Sequence, residues 1–304
     1  MNEMTLEMSD GFSIHTVLVE PADKPIGHIH ILHGMAEHIG RYEEFAKYLA
    51  GIGYIVSGHD HRGHGKTAEM NGKPGYFGIE KGFDRVVQDA YEIIKTIREQ
   101  HPSPRFILFG HSMGSFIARR YVQVHGSEVD LAILSGTGGN PGVMRIAATG
   151  IAHLSGKMNG YDNPDPLLNK LVFGGFNKSI DTPKTPFDWL SRDSDAVEKY
   201  MNDPNCGFIS TTQFFIDLFE GLEKIHSDEE IRKIPQNLPI LLISGNEDPV
   251  GDNGKGVLSV AKQYDKVGIV DVTLMLVEGG RHELLNEINH QHVFEYITDW
   301  IEKK

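Results

Sequence analysis

The segment from Ile107 to Gly114 constrains the fold of this chain more than any other. A short apolar run leads into a Gly-x-Ser-x-Gly pentapeptide centred on Ser112, and a helix-like pattern follows at once. A strand that turns sharply into a helix can hold one side chain in a strained, exposed position at the carboxyl edge of a sheet. A Cβ at position 110 or 114 would crowd that turn, which accounts for the two glycines. The pattern predicts Ser112 as a nucleophile.

A base and an orienting acid are expected further along the chain, in the order Ser, Asp, His. Asp248 follows the buried strand-like run 239–245, and His282 follows the run 270–277 in a glycine-flanked turn. If the sheet is parallel, all three side chains lie at one edge.

Two other carboxylates compete with Asp248 for the role of the orienting acid. Glu247 is its immediate neighbour, and Asp252 lies four residues on. We favour Asp248 because Asp-Pro at the end of a strand suits a turn that aims the carboxylate inward. Glu247 is then expected to face solvent or to cap the segment that follows. A final helix is predicted over residues 284–302.

Acyl transfer through a serine needs hydrogen-bond donors where negative charge develops on the carbonyl oxygen. The backbone N–H of Met113, directly after the proposed nucleophile, is one such donor. The second is expected from the loop 33–38, which follows the strand-like run 26–32. Gly34 lets that backbone turn tightly, so the N–H of Met35 is predicted to point into the site.

Two histidine-dense segments, 28–33 and 59–64, raise the alternative of a metal site. His28 and His30 share one face of a strand, but no cysteine joins them and the sequence has no His-Glu-x-x-His helix. We therefore expect neutral imidazoles that hydrogen-bond the loops around the site, with no metal and no organic cofactor.

Five blocks of the sequence resemble one branch of a known family. They are residues 33–42, 59–65, 110–114, 245–250 and 279–283. Together they are similar to the monoacylglycerol lipase and lysophospholipase branch of the α/β-hydrolases. The likeness departs from that family at Ser115, where a second glycine is usual, and at Met35, where a smaller residue is common.

The resemblance implies an α/β-hydrolase fold, with a mostly parallel central sheet, helices on both faces and a helical lid insertion. It implies a serine esterase that cleaves a single acyl ester, with Ser112, Asp248 and His282 as the triad. The oxyanion hole would be formed by the main-chain amides of Met35 and Met113.

Strand-like and helix-like segments alternate over residues 1–135 and again over 239–304, which is typical of a parallel sheet covered on both faces. Between them, residues 136–238 form short helices and turns rich in Gly, Pro and Asn, where this fold carries its lid. The predicted helix 144–158 either presents apolar groups to the active site or buries them against the core. The candidate substrate-binding residues of the lid region are Ile151, Leu154, Trp189 and Phe208, and Phe214 and Phe215 are further aromatic candidates.

Composition excludes several classes of partner. The 304 residues carry a formal charge of −13 with no basic cluster, which argues against nucleic-acid binding and strong docking to anionic lipid. The single cysteine, Cys206, fits a reducing compartment, and the N-terminal residues do not form a signal peptide. No apolar run approaches the ~20 residues needed to span a bilayer. A cytoplasmic enzyme is expected, with transient membrane contact through the lid.

The expected substrate is a small lipid ester, first of all a monoacylglycerol, because an apolar lid suits an acyl chain with a small polar head. A lysophospholipase and a general short- or medium-chain carboxylesterase are the alternatives within the same chemistry. A catalytically silent ligand receptor on the same fold is the alternative from another class. Such a receptor tends to lack a triad member, whereas all three candidates are present here.

Overall fold

A computed structural model describes residues 1–78 and 80–304 and contains one eight-stranded sheet. The strands are β1 (Asn2–Glu7), β2 (Ser13–Val19), β3 (Gly27–Leu32), β4 (Tyr54–His59), β5 (Phe106–His111), β6 (Leu131–Ser135), β7 (Ile240–Gly245) and β8 (Val272–Val277). Their spatial order is β1-β2-β4-β3-β5-β6-β7-β8. β1 and β2 pair antiparallel, and β2 also lies antiparallel to β4. The remaining pairs are parallel, so the mostly parallel sheet predicted from the sequence is confirmed.

Eleven α-helices connect and cover the strands within the described residues. They are α1 (Glu43–Gly51), α2 (Gly65–Asn71), α3 (Gly82–Gln100), α4 (Met113–His125), α5 (Val143–Asn159), α6 (Pro166–Phe173), α7 (Ser194–Asn202), α8 (Thr212–Ile225), α9 (Asp228–Ile231), α10 (Lys255–Val267) and α11 (His290–Glu302). Short 3₁₀ turns occupy Ile39–Tyr42, Gly126–Glu128, Phe176–Ser179 and Leu284–Asn286. In the described part of the chain, no helix has the length and hydropathy needed to cross a bilayer.

The sheet separates two hydrophobic layers, because successive side chains of a strand point to opposite faces. On β5, Phe106 and Leu108 belong to the layer packed with α3, α4, α8 and α10. Ile107 and Phe109 of the same strand belong to the opposite layer, which includes α1 and α11. Every residue of β5 is buried, as expected for a central parallel strand. The carboxyl ends of the central strands are thereby held in register at one edge.

The last predicted helix is wrong in its first six residues. Leu284–Asn286 form a 3₁₀ turn, and the α-helix begins only at His290. Glu287 causes the interruption, because its buried carboxylate accepts the backbone N–H groups of Arg281 and Ile288. These hydrogen bonds hold the segment in a turn around Glu287. The regular α-helical hydrogen bonds, from each N–H to the carbonyl four residues earlier, therefore do not form there.

Residues 136–238, the expected insertion, lie between β6 and β7 and carry α5 to α9. α8 packs against α4 and α3, with Phe214 and Phe215 fully buried in the first layer. Those two aromatic side chains are therefore core residues and do not line an acyl tunnel.

α5 buries small side chains and exposes large ones. Ala148 and Ala152 face the interior, whereas Ile146 is 62% and Leu154 is 60% exposed. Ile151 is also exposed, at 39%. The interpretation that buried these large apolar groups against the core is wrong, because Ala148, Ala152, Ser155 and Gly156 form the packing face.

Candidate active site

Ser112 occupies the strained turn that the sequence predicted between β5 and α4. Its φ is +51° and its ψ is −119°, a conformation that non-glycine residues rarely adopt. A Cβ at Gly110 would stand 2.3 Å from the carbonyl oxygen of Gly114, and a Cβ at Gly114 would stand 2.0 Å from that of Leu32. Both contacts are with backbone, which cannot move aside, so the turn requires glycine at both positions. Ser112 itself is partly exposed at the turn.

Ser115, where the resemblance departs from its family, supports this turn. Its side chain is buried, and its hydroxyl donates to the carbonyl oxygen of Ser112 at 2.5 Å. The departure therefore adds a hydrogen bond to the backbone of the turn and leaves the Ser112 side chain free.

His282 and Asp248 form a buried hydrogen-bonded pair. Nδ1 of His282 lies 3.0 Å from Oδ1 of Asp248, and the two residues are 2% and 0% exposed. Asp248 also accepts the backbone N–H of Val250 at 2.9 Å and the hydroxyl of Ser244 at 3.1 Å. Glu247 and Asp252 are exposed, so of the three carboxylates only Asp248 contacts the imidazole. Burial alone would lower the pKa of His282, but the charge and hydrogen bond of Asp248 outweigh it and raise that pKa.

Ser112 and His282 line the same cavity. The His282 ring lies beside that of His111, which directly precedes Ser112, with centroids 4.7 Å apart. Within the described residues, the hydroxyl of Ser112 donates no hydrogen bond to His282. Such contacts are often loose without substrate and tighten in the reacting complex.

The two predicted oxyanion donors belong to segments that adjoin Ser112. Met113 is the first residue of α4, so its N–H has no acceptor inside the helix and carries the positive end of the helix dipole. A Cβ on Gly34 would come within 3.3 Å of the Ser112 Cβ, which brings the loop before Met35 against the serine. Neither N–H meets a protein acceptor in the described part of the chain.

A charged network that the sequence reasoning missed joins this loop to the loop of His282. Glu37 accepts the N–H of Gly34 at 2.5 Å and the hydroxyl of Tyr42 at 2.8 Å. Arg41 donates to Glu37 at 2.6 Å and, through both terminal nitrogens, to Glu283 at 2.6 Å. Burial would lower the pKa of Arg41, but the two carboxylates outweigh it and hold that pKa well above its usual value.

Only one ion pair of this network could have been predicted from the sequence. Glu37 and Arg41 are four residues apart, a spacing that favours an ion pair on one helical turn. Glu283 lies 242 positions away from Arg41 and had no detectable link to it.

The cavity above Ser112 has a volume of about 410 Å³, within the usual range for a small-molecule site. Trp189 and Phe208, both candidates from the sequence, line it together with Phe173, Phe187 and Leu190. Ile151 and Leu154 are not among its described lining residues, since they lie on the exposed face of α5. The polar part of the lining includes Glu37, Tyr200 and Glu283.

One group of potential metal ligands is found among residues 1–78 and 80–304: His38, Asp203 and Cys206. Nδ1 of His38 accepts the N–H of Gly40, so Nε2 carries the proton that it donates to Asp203 at 2.8 Å. Burial raises the pKa of the Cys206 thiol, which disfavours the thiolate that a metal requires. His38 and Asp203 are therefore joined by a hydrogen bond, and the protonated thiol of Cys206 is a poor metal ligand.

The site has three features of an α/β-hydrolase. Ser112 lies on a strand-to-helix turn, a His–Asp pair follows strands β7 and β8, and a cavity lies above them. The chain belongs to the serine aminopeptidase, S33, family, which matches residues 23–289.

Its relatives include enzymes that act on monoacylglycerols. The chain is 27% identical to the monoacylglycerol lipase of Mycolicibacterium smegmatis, over 92% of this chain and 90% of that protein. It is 28% identical to the human monoglyceride lipase, over 97% of this chain and 89% of that protein. The structure resembles that of a thermostable carboxyl esterase from Bacillus coagulans in complex with glycerol, with a TM-score of 0.92, 30% identity and coverage of 99% and 98% of the two chains. The protein is a carboxylic-ester hydrolase similar to the monoacylglycerol lipases.

Proposed function

We propose that the protein hydrolyses single-acyl lipid esters through an acyl-enzyme on Ser112, with monoacylglycerol as the preferred class of substrate. The conformation of Ser112 is the observation that carries this proposal. A serine held at a φ of +51° between a buried strand and a helix costs backbone energy, and that cost is expected where a side chain must be presented to a substrate.

The proposed reaction has two halves. Nε2 of His282 takes the hydroxyl proton as Ser112 Oγ attacks the ester carbonyl carbon, and Asp248 supports the resulting imidazolium. The tetrahedral intermediate collapses, the C–O bond to the alcohol breaks, and His282 returns the proton to the leaving oxygen. Water then attacks the acyl-enzyme by the same route and releases the fatty acid, while His282 returns the proton to Ser112.

The N–H groups of Met35 and Met113 are proposed to stabilise the oxyanion in both halves. Their freedom from protein acceptors supports this role, because a donor already satisfied would gain nothing in the transition state. Loss of one such donor typically costs about 3 to 4 kcal/mol of transition-state stabilisation.

The lining of the cavity supports an amphipathic substrate. Aromatic side chains from the lid region, including Trp189 and Phe208, offer an apolar surface for an acyl chain. Near the serine, Glu37 and Glu283 share the guanidinium of Arg41, and Lys170 also lines the cavity. These four formal charges balance, so the lining does not favour a charged head over an uncharged one such as glycerol. The glycerol bound to the Bacillus coagulans esterase is consistent with a glycerol head.

Residues 136–238 are proposed as a helical cap that contacts lipid surfaces transiently. Its support is the exposed face of α5 and α6, where large apolar side chains are collected: Val143, Met144, Ile146, Leu154, Met158, Leu167 and Leu171. Contiguous exposed apolar surface of this kind marks an interaction site. A net charge of −13 favours a neutral or zwitterionic surface over an anionic one.

A panel of esters tests the proposed specificity. kcat/KM is measured on monoacylglycerols of three chain lengths, a diacylglycerol, a lysophosphatidylcholine and p-nitrophenyl butyrate, with Ser112→Ala as the inactive control. We expect the highest value for a monoacylglycerol. A preference for the lysophospholipid or the short ester selects one of those alternatives, and activity retained in Ser112→Ala contradicts the mechanism.

A further inference from the structure

A chain of hydrogen-bonded side chains runs through the interior of the sheet to His61, and backbone groups of His61 and His33 connect it to the loop before Met35. We call it the imidazole ladder, and its members in order are His28, Ser57, His30, His59, His61 and His33. Each of its five histidines is 0% exposed. The side chains of His28 and His30 come from β3, those of Ser57 and His59 from β4, and the others from the two loops that follow these strands. None of these groups takes part in the proposed chemistry.

The spacing along the ladder is close throughout. Nε2 of His28 lies 2.6 Å from Oγ of Ser57, and that oxygen lies 2.7 Å from Nδ1 of His30. Nε2 of His30 lies 3.0 Å from Nδ1 of His59, and Nε2 of His59 lies 3.1 Å from Nδ1 of His61. Every contact joins two atoms that each can donate or accept, so the direction of the chain depends on its ends.

The end at the active-site loop fixes that direction. Nε2 of His61 lies 3.1 Å from the carbonyl oxygen of His33, which can only accept, so Nε2 must carry a proton. The backbone N–H of His61 in turn donates to Nε2 of His33 at 3.0 Å, so that nitrogen has no proton. His33 is therefore protonated on Nδ1, which donates to the carbonyl oxygen of Gly34 at 2.8 Å.

Burial keeps the imidazoles neutral. It lowers the pKa of His28 to about 3 and that of His59 to about 4, and it places those of His30, His33 and His61 well below the ordinary value. A neutral imidazole has one proton, so each ring that donates through one nitrogen must accept through the other.

These two conditions leave one arrangement of protons. Because His61 donates through Nε2, its Nδ1 accepts from Nε2 of His59, whose Nδ1 accepts from Nε2 of His30. Nδ1 of His30 then accepts the hydroxyl proton of Ser57, and Ser57 accepts from Nε2 of His28. The last acceptor, Nδ1 of His28, has no partner within the described residues and is the far end of the ladder.

We propose that the imidazole ladder is a positioning network for the oxyanion hole, with all its donors pointing toward the loop that carries Met35. The carbonyl that His33 holds belongs to the Gly34–Met35 peptide, and the N–H of that same peptide is the proposed oxyanion donor. A hydrogen bond to a peptide oxygen fixes the plane of the peptide and polarises its N–H. The ladder acts on this bond through the position of His61, whose ring donates to the His33 carbonyl and whose backbone N–H donates to the His33 ring. The inference rests on the proposed function, because it concerns the hole that this function requires.

The proton positions test the ladder in the unmodified protein. Histidine ring ¹⁵N spectra at pH 7 should show Nε2–H for His28, His30, His59 and His61, and Nδ1–H for His33. A protonated Nδ1 on any of the first four rings, or a doubly protonated ring among the five, overturns the proposal. This measurement requires no substitution, so it decides the matter even if a variant fails to fold.

A substitution in the middle of the ladder tests its effect on catalysis. His59→Leu removes the donor to His61, so we expect kcat on p-nitrophenyl butyrate to fall about 10- to 100-fold with KM within about twofold, as for interactions made only in the transition state. The matched control is Thr16→Val, because Thr16 lies opposite His59 in the sheet, is 0% exposed and has a hydroxyl without a partner in the described structure.

The control should retain the wild-type kcat. A folded His59→Leu with unchanged kcat would reduce the ladder to a packing feature and overturn the proposal. Failure of the wild type to react with a fluorophosphonate is a different outcome, because it would contradict the proposed serine chemistry itself.

Discussion

Nδ1 of His282 lies 3.0 Å from Oδ1 of Asp248, and both side chains are buried at the ends of adjacent parallel strands, β8 and β7. A carboxylate in this position accepts the Nδ1 proton and leaves Nε2 as the free nitrogen. His282 thereby has one defined tautomer with its basic atom available for the Ser112 proton. The pairing of β7 with β8 therefore places the acid and the base of the proposed mechanism next to each other.

The pH profile of hydrolysis should report this pair. The base must be neutral to accept a proton, and Asp248 raises the pKa of His282 above its usual 6.5. Activity should therefore decline as pH falls through a value above 6.5. Asp248→Asn should lower kcat by a factor of about 10⁴ and shift the acidic limb to lower pH. If kcat/KM of the wild type declined only below pH 6.5, the assignment of His282 as the base would be contradicted.

The glycines of the turn give a stability prediction. Gly114→Ala places a Cβ 2.0 Å from the carbonyl oxygen of Leu32, so we expect a loss of about 3 kcal/mol in unfolding free energy, at the upper end of the usual cost of overpacking, measured by urea denaturation. Gly150→Ala is the matched control, because this helical glycine of α5 has open space around its Cβ position. The control should raise stability by about 0.5 to 1 kcal/mol. Equal effects of the two changes would be inconsistent with the described turn.

Arg41 is expected to stabilise the protein strongly. Arg41→Met leaves Glu37 and Glu283 buried without a counter-ion, which should cost about 3 to 5 kcal/mol and lower kcat by loosening both loops. Lys47→Met, which removes an exposed ion pair with Glu43, should cost less than about 1 kcal/mol. Thermal unfolding compares the two variants, and a similar small loss in both would show that the network is not important for stability.

Substitutions on α5 test lipid contact without touching the cavity. Ile146→Gln combined with Leu154→Gln should reduce co-sedimentation with phosphatidylcholine vesicles and turnover of a long-chain monoacylglycerol in them. Hydrolysis of dissolved p-nitrophenyl butyrate should be unchanged, since neither side chain is among the cavity's lining residues in the described part of the chain. Val270→Gln, at a residue 78% exposed and outside the cap, is the control for general loss of surface hydrophobicity. Equal vesicle binding by all three proteins would remove the support for a lipid-contacting face.

The neutral buried imidazoles predict instability in acid. Burial lowers the pKa of His28 to about 3 and those of His59 and His64 to about 4, whereas unfolded histidines titrate near 6.5. Below pH 6.5 the unfolded chain binds more protons than the folded one, so stability is complete above 6.5 and is lost as pH falls toward 4. Each such residue costs about 2 kcal/mol at pH 5. Calorimetry should give a clearly lower Tm at pH 5 than at pH 7.5, and equal values would contradict the described burial.

Local patterns predicted the parts of the fold that depend on neighbouring residues. The turn at Ser112 was predictable because two glycines, an apolar strand and a helix pattern all specify the same conformation. The strand before it runs beyond the apolar residues to His111, because its pairing with β6 extends to His111 and Ser135. The β-propensity of single residues does not reveal a pairing with a distant strand.

The parts that sequence reasoning missed depend on distant residues or on choices between two faces. Glu283 is a partner of Arg41 only through the folded chain. α5 has large apolar residues on one face and alanines on the other, so its periodicity fitted burial of either face. The histidines of β3 and β4 were expected to hydrogen-bond nearby loops, but their mutual order required the register of His30 with Ser57.

Covalent labelling of Ser112 tests the central claim most directly. The protein is treated with a fluorophosphonate, digested, and mapped by mass spectrometry, with Ser112→Ala as the control. We predict stoichiometric modification of the peptide that contains Ser112, loss of ester hydrolysis in parallel, and no labelling of the control. Full hydrolytic activity with Ser112 unmodified, or an adduct on a different residue, would contradict the account.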